Sequence, residues 1–240
     1  MHEPPTSAAL KYSGLKYSGL VAVARAGADL IIPVTCGGCD IPGTPWCARC
    51  ATHLADAPQP LTPRVVVGVP IWALGRYRGP YRRSIIALKE RGRRDLAQPL
   101  GAAVAHALIE LARWGEIPDA PRLVLIPAPT RRLAARRRGG DPVTAIAEHA
   151  RMNLGGRVEV AAILMVRSGG RDSAGLDARQ RSRNLRGRVV IRHQGSPVHP
   201  TSATVLIDDV LTTGATAAES VRVLAEHDVR VDLILVVAGA

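Results

Sequence analysis

Most of the chain alternates short apolar runs with stretches whose apolar positions recur every three or four residues. The runs at 65–71, 122–126, 161–166, 189–192, 204–207 and 229–237 are β-branched or nearly continuous in apolar character, as expected of strands buried on both faces. Between them, helical spacing predicts helices over 80–91, 95–113, 141–152, 177–185 and 216–226. Asp95, Asp141 and Asp177 stand where N-caps belong, and Pro142 occupies a first helical position that tolerates proline. In the last helix Ala217, Val221 and Leu224 share one face. This alternation predicts an α/β fold: a Rossmann-like parallel sheet flanked by helices.

The amino-terminal part follows other rules. Residues 1–19 are polar, and Lys11-Tyr-Ser-Gly-Leu15 is copied at once as Lys16 to Leu20. A tandem copy this short is no structural repeat, and the segment is expected to be poorly ordered. Residues 20–32 have the pattern of a short amphipathic helix. A compact cysteine segment follows, and Pro58, Pro60 and Pro63 then mark a linker. The expected organisation is a poorly ordered or helical segment over 1–30, a cysteine segment over 31–56, a linker over 57–64 and one larger domain over 65–240.

Composition narrows the classes. The apolar share of 47% in 240 residues allows a substantial core. The best apolar stretch, 20–34, is broken by Arg25 and Asp29 and is too short for a membrane span. A cytoplasmic protein with no membrane association is the expectation. The formal charge is +12, and Lys occurs only at 11, 16 and 89, so the basic residues are nearly all Arg. Two readings explain that excess: anionic partners such as phosphates, nucleotides or nucleic acid, or an Arg-rich proteome.

All four cysteines lie in C-G-G-C and C-A-R-C, with seven residues between the pairs. Cys36, Cys39, Cys47 and Cys50 have the spacing of two knuckles closing one structural zinc site of four thiolates. Two disulfides are the alternative, disfavoured by a reducing compartment. A redox Cys-x-x-Cys needs only one pair. Four thiolates leave no open position, so such a zinc would be structural and would fold a segment too small for its own core.

Residues 205–216 read V-L-I-D-D-V-L-T-T-G-A-T. The expected strand ends in Asp208 and Asp209, and Thr212, Thr213, Gly214, Ala215 and Thr216 form a turn into a helix. Small residues let backbone N–H groups approach an anion at a helix N-terminus. Two carboxylates repel phosphate but accept hydrogen bonds from hydroxyls, so a sugar phosphate fits both halves. The twelve residues resemble the signature of type I phosphoribosyltransferases, which hold 5-phosphoribosyl-1-pyrophosphate (PRPP). A strand–loop–helix with surface acids, and an Asp-Asp metal site of a sugar-nucleotide transferase, are the alternatives; the metal site does not account for the Thr-Thr-Gly-Ala-Thr turn. In the 6-oxopurine salvage enzymes of that superfamily an Asp opens the phosphate loop. Thr212 stands there, so the resemblance does not extend to hypoxanthine–guanine salvage.

Two further segments are Arg-rich. After Pro127-Ala128-Pro129, Arg fills five of the eight positions 131–138. Arg131, Arg132 and Arg138 are candidates for pyrophosphate, because guanidinium binds phosphate oxygens in pairs; a solvated basic loop or a nucleic-acid patch is the alternative. Residues 167–185 read either as a flap that excludes water or as an ordinary surface loop.

Taken in order, the cysteine knuckle, Tyr77, the L-K-E-R-G-R-R-D-L-A segment around Lys89, the Pro127–Pro129 turn, Leu176, Arg181, Asn184 and D-D-V-L-T-T-G-A-T resemble the ComF family of competence-associated phosphoribosyltransferase-like proteins. The chain departs from that family at Gly140, Asp141 and Pro142, where Phe, Asn and Gln are usual, and at Ser173, where Gln is usual. The resemblance implies a type I phosphoribosyltransferase fold of five parallel strands with a variable hood and a link to DNA uptake and processing.

Two functional readings follow. In the first, Mg²⁺-PRPP binds through its 5′-phosphate on 212–216 and its ribose on Asp208 and Asp209, and an unidentified nitrogen nucleophile displaces pyrophosphate. In the second, the protein is a non-catalytic nucleotide-sensing adaptor for DNA-processing proteins. Expected ligands are PRPP or ribose 5-phosphate, with zinc and Mg²⁺ as metals. With few aromatic rings for base stacking, single-stranded nucleic acid is expected to bind weakly and non-specifically. A homodimer is compatible with this class.

Overall fold

A computed structural model of the chain describes residues 34–129, 140–167, 187–192 and 198–240. The expected helices over 20–32 and 177–185, the flap over 167–185 apart from Arg167, and the tandem copy near the start lie outside the described residues. Helix α1 (Ala48–Leu54) leaves the cysteine segment. Strands β1 (Gln59–Pro60) and β2 (Ile71–Arg76) follow, then α2 (Gly79–Glu90), a 3-10 turn (Arg94–Leu96) and α3 (Ala97–Arg113). The rest runs β3 (Leu123–Pro127), α4 (Pro142–Leu154), β4 (Val158–Val160), β5 (Leu164–Val166), β6 (Val189–Ile191), β7 (Ala203–Leu211), α5 (Ala215–Ala225) and β8 (Leu233–Gly239).

Six strands form one sheet in the order β1-β2-β8-β7-β3-β4. All neighbours are parallel except β1, which pairs antiparallel with β2 at the edge. The expected α/β architecture is present, with helices on both faces. Residues of β7 and β8 alternate between two cores, as the period of two requires. Val205, Ile207, Leu233 and Leu235 pack with Tyr81, Ile85 and Leu88 of α2 and with α3 and α4. Leu206, Ile234 and Val236 pack on the other face with Val223 and Leu224 of α5 and with Leu164 and Val189. Because β7 and β8 are central and covered twice, their sequences are almost unbroken apolar runs.

Several local expectations change. The strand expected over 65–71 is displaced to β2, Ile71–Arg76, and the two-residue β1 falls within the expected linker 57–64. Gly68 takes a φ of +84°, Pro70 has no N–H for a ladder, and Val66 is 90% exposed, so 61–70 runs as an irregular strap. Asp95 is not the cap of α3. It forms a two-pronged ion pair with Arg93 at 2.7 and 2.9 Å. Pro99 cannot donate to the Asp95 carbonyl, which moves the α-helical start to Ala97. The expected strand 161–166 is confined to its second half, Leu164–Val166 (β5), which pairs antiparallel with β6; the strand that joins the main sheet is β4, which lies ahead of the expected run at Val158–Val160.

Chain order and strand order together fix where a ligand can sit. The β3–α4–β4 crossover leads outward to one side of β3, and the β7–α5–β8 crossover leads to the other side of β7. The crossovers diverge between β3 and β7, and the crevice at the carboxyl ends of those strands is the topological switch point of the sheet.

Candidate functional site

The switch point carries the D-D-x-x-T-T-G-A-T segment. Asp208 and Asp209 are not at the strand tip. Strand β7 keeps pairing with β8 beyond them, through Val210 opposite Ala238 and Leu211 opposite Gly239, because β8 stays apolar to its end. The turn therefore begins at Thr212. Gly214 has φ +85° and ψ 2°, a left-handed conformation that a side chain strains, and it opens α5. Thr213 Oγ1 accepts from the Ala215 N–H at 3.4 Å. Thr212 is exposed, and Thr213 and Thr216 are half-buried, so hydroxyls and first-turn amides gather where an anion would meet a helix N-terminus.

The strap closes the other side of this turn. The Val65 N–H donates to the Thr213 carbonyl at 3.0 Å. A Cβ on Gly214 would lie 2.9 Å from Pro63 Cβ and 3.4 Å from the Val65 carbonyl oxygen. Pro63 of the expected linker and Val65 of the expected strand 65–71 thus buttress the turn at 212–216.

The two acids occupy different environments. Asp209 is buried, and its Oδ2 lies 2.6 Å from Nζ of Lys89 at the end of α2. Asp208 is half-buried, and its Oδ1 accepts from the Asp209 N–H at 2.8 Å. Burial first, and the Asp209 charge second, push Asp208 up to about 8. The Asp209 amide and the Lys89 ammonium pull it down, and Asp141 adds a smaller push. Without a ligand, Asp208 therefore holds a proton near neutrality. Hydroxyl donors or a cation brought by a ligand would favour its carboxylate form.

Neighbouring segments complete the crevice. Pro127 pairs with Ile207, and the Ala128 N–H donates to the Ile207 carbonyl at 2.7 Å, which sets the Pro127–Pro129 turn beside the acids. Asp141 caps α4 as expected, accepting from the Val143 N–H at 3.2 Å and the Thr144 hydroxyl at 2.8 Å. A cleft of about 360 Å³ lies between Pro127, Asp141, Thr144 and Arg192. A larger cavity of about 530 Å³ lies at the opposite, amino edge of the sheet between 68–70 and 228–232; neither cavity is lined by Asp208 or Asp209. The pyrophosphate candidates Arg131, Arg132 and Arg138 lie outside the described residues, as do Leu176, Arg181 and Asn184. Sequence reading missed the role of Lys89 at Asp209. Its one signal is that Lys89 is the only lysine beyond position 16.

The second candidate site is the cysteine knuckle. The Sγ atoms of Cys36, Cys39, Cys47 and Cys50 all lie within 4.8 Å of one another, with Cys39 and Cys47 3.6 Å apart. Tetrahedral zinc with bonds of about 2.3 Å places thiolates about 3.8 Å apart, so the cluster has the dimensions of a four-thiolate site. Hydrogen bonding to the Ile41 backbone brings the Cys39 thiol down to about 6, and a thiolate is the form that binds metal. Burial opposes ionisation of Cys36, but backbone N–H groups outweigh it and lower that thiol too. Burial pushes Cys50 well up, the environment a bound cation would reverse. Gly38 is required by close approach: a Cβ there would lie 2.7 Å from the Cys50 sulfur.

The knuckle packs against the helices of the α/β core. Arg93 donates to the carbonyls of Thr35 at 2.9 Å and Pro45 at 3.2 Å while its other prongs hold Asp95. Leu54 of α1 is buried in the same core as α2. Tyr81 Oη lies 2.9 Å from the His53 carbonyl oxygen and 2.8 Å from that of Leu74, sharing one proton between them.

No protein-family model and no curated protein matches the chain. Among solved structures it is similar to a Trypanosoma cruzi hypoxanthine phosphoribosyl transferase, at 17% identity and a TM-score of 0.32, over 62% of this chain and 65% of that one. It is also similar to a glutamic acid mutant from a study of an invariant aspartic acid in HPRTs, at 17% identity and a TM-score of 0.29, over 62% of this chain and 66% of that one. The chain thus spans slightly under two thirds of each of these structures. The fold class rests on the strand order and pairing: an α/β protein with a mostly parallel sheet, flanking helices and a four-cysteine cluster ahead of them. No helix among the described residues is long and apolar enough to cross a membrane.

Proposed function

We propose that this chain is a type I phosphoribosyltransferase-like protein of the ComF kind, which binds PRPP at the carboxyl edge of β7 and transfers its phosphoribosyl group to a nitrogen acceptor. The observation that carries the reading is the join of an acid pair, Asp208 and Asp209, to a Thr-Thr-Gly-Ala-Thr helix start at the switch point of a parallel sheet. The 5′-phosphate takes the amides and hydroxyls of Thr212, Thr213, Gly214, Ala215 and Thr216. The acid pair serves the ribose 2′- and 3′-hydroxyls.

In the reaction the bond from C1′ to the pyrophosphate oxygen breaks, and its electron pair leaves with pyrophosphate. A nitrogen lone pair forms the new bond at C1′, and the nitrogen then gives up its proton. Carboxylates near the sugar stabilise the positive charge that develops on the ribose. Arg131, Arg132 and Arg138 receive the pyrophosphate in this reading, and Mg²⁺ travels with PRPP. Zinc on Cys36, Cys39, Cys47 and Cys50 supplies cross-linking of the knuckle and no chemistry at C1′. The basic surface takes single-stranded nucleic acid weakly, in keeping with the DNA handling that the ComF resemblance implies.

Calorimetry with PRPP and Mg²⁺, joined to a pyrophosphate-release assay over a panel of nitrogen bases, tests the reading. PRPP binding with acceptor-dependent release is the expected result. Failure to bind both PRPP and ribose 5-phosphate overturns it.

A further inference from the structure

The acid pair is not symmetrical, and the asymmetry comes from a helix remote in sequence. Lys89 ends α2, on the face of the sheet where Ile85 and Leu88 pack against Ile207 and Leu235. Asp209 follows Ile207 by two residues and so projects to that same face. The ammonium and carboxylate meet at 2.6 Å, with the Asp209 side chain 7% exposed and that of Lys89 33% exposed. A carboxylate this buried persists as a charge only when it is paired. Asp208 projects the other way along the alternating strand, is half-buried and, among the described residues, accepts from the Asp209 amide alone.

We propose that Lys89 is a positioning residue of the ribose site: its ammonium holds Asp209 as a carboxylate turned toward α2, so that Asp208 is the member of the pair that meets the ligand. This rests on the phosphoribosyl reading and divides the labour within it. Among the described residues, the charges that act on Asp208 include Asp209 on its own strand, Lys89 on α2 and Asp141 at the start of α4. Lys89 lowers the affinity of Asp208 for a proton, and the two acids raise it. Lys89 therefore acts on Asp208 directly through its charge and indirectly through Asp209.

The test uses the full chain with Lys89→Met, Lys89→Arg, Asp209→Asn and the double variant Lys89→Met/Asp209→Asn. Two readouts are followed: ribose 5-phosphate affinity by calorimetry, and the Asp208 carboxyl carbon by NMR titration in ligand-free protein. Lys89→Met should weaken ribose 5-phosphate on the order of tenfold at neutral pH and move the Asp208 titration to higher pH. Lys89→Arg should retain most of both. Asp209→Asn should move the titration the other way. In the Asp209→Asn background, Lys89→Met should cost much less affinity, because the neutral amide needs no counterion.

An affinity loss that is undiminished in that background would mean that Lys89 touches the ligand itself, and would overturn the positioning role. An Asp208 titration unmoved by Lys89→Met would overturn it as well. If wild type binds neither PRPP nor ribose 5-phosphate, the phosphoribosyl reading fails. The NMR arm then decides separately whether Lys89 controls the acid pair.

Discussion

The knuckle's four thiols come from residues 36–50, and two glycines between the first pair allow the turn that brings them together. The carboxyl edge draws its groups from α2, the end of β3, the start of α4, the strap near Val65 and the end of β7. These two regions teach different lessons about how a site is built. The knuckle is closed by local chain geometry and would be completed by one ion. The edge is closed by the sheet, which brings Lys89 to Asp209 and Val65 to Thr213. A fault within the knuckle should stay near it, whereas a fault in the turn at Gly214 strikes a place where three segments meet.

The largest expected effect is at that turn. Gly214→Val forces a β-branched residue to φ +85° and drives its Cβ to within 2.9 Å of Pro63 Cβ. Strain of this kind costs about 1–3 kcal/mol in the fold. If the amides of 214–216 hold the phosphate, PRPP affinity should fall by about two orders of magnitude or more. Calorimetry checks the affinity, and circular dichroism checks that the sheet persists. A folded Gly214→Val protein with wild-type affinity would remove the phosphate site from 205–216.

Next in size is the knuckle. Metal analysis should find about one zinc per chain, because one four-thiolate set holds one ion. Cys36→Ser should release it and lower the thermal midpoint. Ribose 5-phosphate affinity should change far less than in Gly214→Val, since the frame of the edge is the parallel sheet. Arg93→Ala offers a gentler cut: it leaves all four thiols but deletes the clamp on Thr35 and Pro45. Zinc should remain bound, with a stability loss of about 1–3 kcal/mol. Zinc loss in Arg93→Ala would mean that docking, not local geometry, closes the knuckle, and the contrast between the two regions would collapse.

What could be read from the sequence follows the same division. The cysteine set needed only its spacing, and the acid pair with its Thr-Gly turn needed only its contiguity. The central strands were visible because β7 and β8 are buried on both faces, which leaves nearly continuous apolar runs. Residues 65–71 read as a strand because Val65, Val66 and Val67 are β-branched. Gly68 and Pro70 overrule that propensity, and Leu61 and Val67 gain their burial by packing on the sheet instead. Asp95 reads as a cap because nothing in the sequence announces that Arg93 competes for it. Lys89 lies far from Asp209 along the chain, and a pairing of that kind comes only from the crossovers that stack α2 on β7 and β8.

Acid–base behaviour sharpens the comparison further. Asp208 is raised from the ordinary carboxylate range to about 8, so the folded state binds its proton where the unfolded chain does not. This contribution to stability is complete at low pH. It declines as pH rises between the carboxylate range and about 8, and is level above that. Ligand affinity should move oppositely, since ribose hydroxyls need the carboxylate as acceptor. Ribose 5-phosphate should therefore bind more tightly as pH rises through about 8, after correction for the titration of its own phosphate. Asp208→Asn with Asp209→Asn should weaken binding less than Gly214→Val and flatten this dependence. A dependence that survives in the double variant would assign it to another group.

The smallest expected effect separates two duties of one side chain. Asp141 caps α4 through the Val143 N–H and the Thr144 hydroxyl, and its charge is one of those that raise Asp208. Asn caps helices as well as Asp does, but it carries no charge. Asp141→Asn should therefore keep the stability of α4 while moving the Asp208 titration slightly downward. Asp141→Ala should produce the same small titration shift and also cost about 1 kcal/mol of stability through the lost cap. Thermal unfolding and the Asp208 carboxyl resonance, measured on both variants, distinguish the two duties. A downward shift in both variants, with a stability loss in Ala alone, makes Asp141 an electrostatic neighbour of the acid pair as well as a cap. If neither variant moves Asp208, the influence of α4 on the crevice ends at the helix start, and Asp141 is a cap without a second duty.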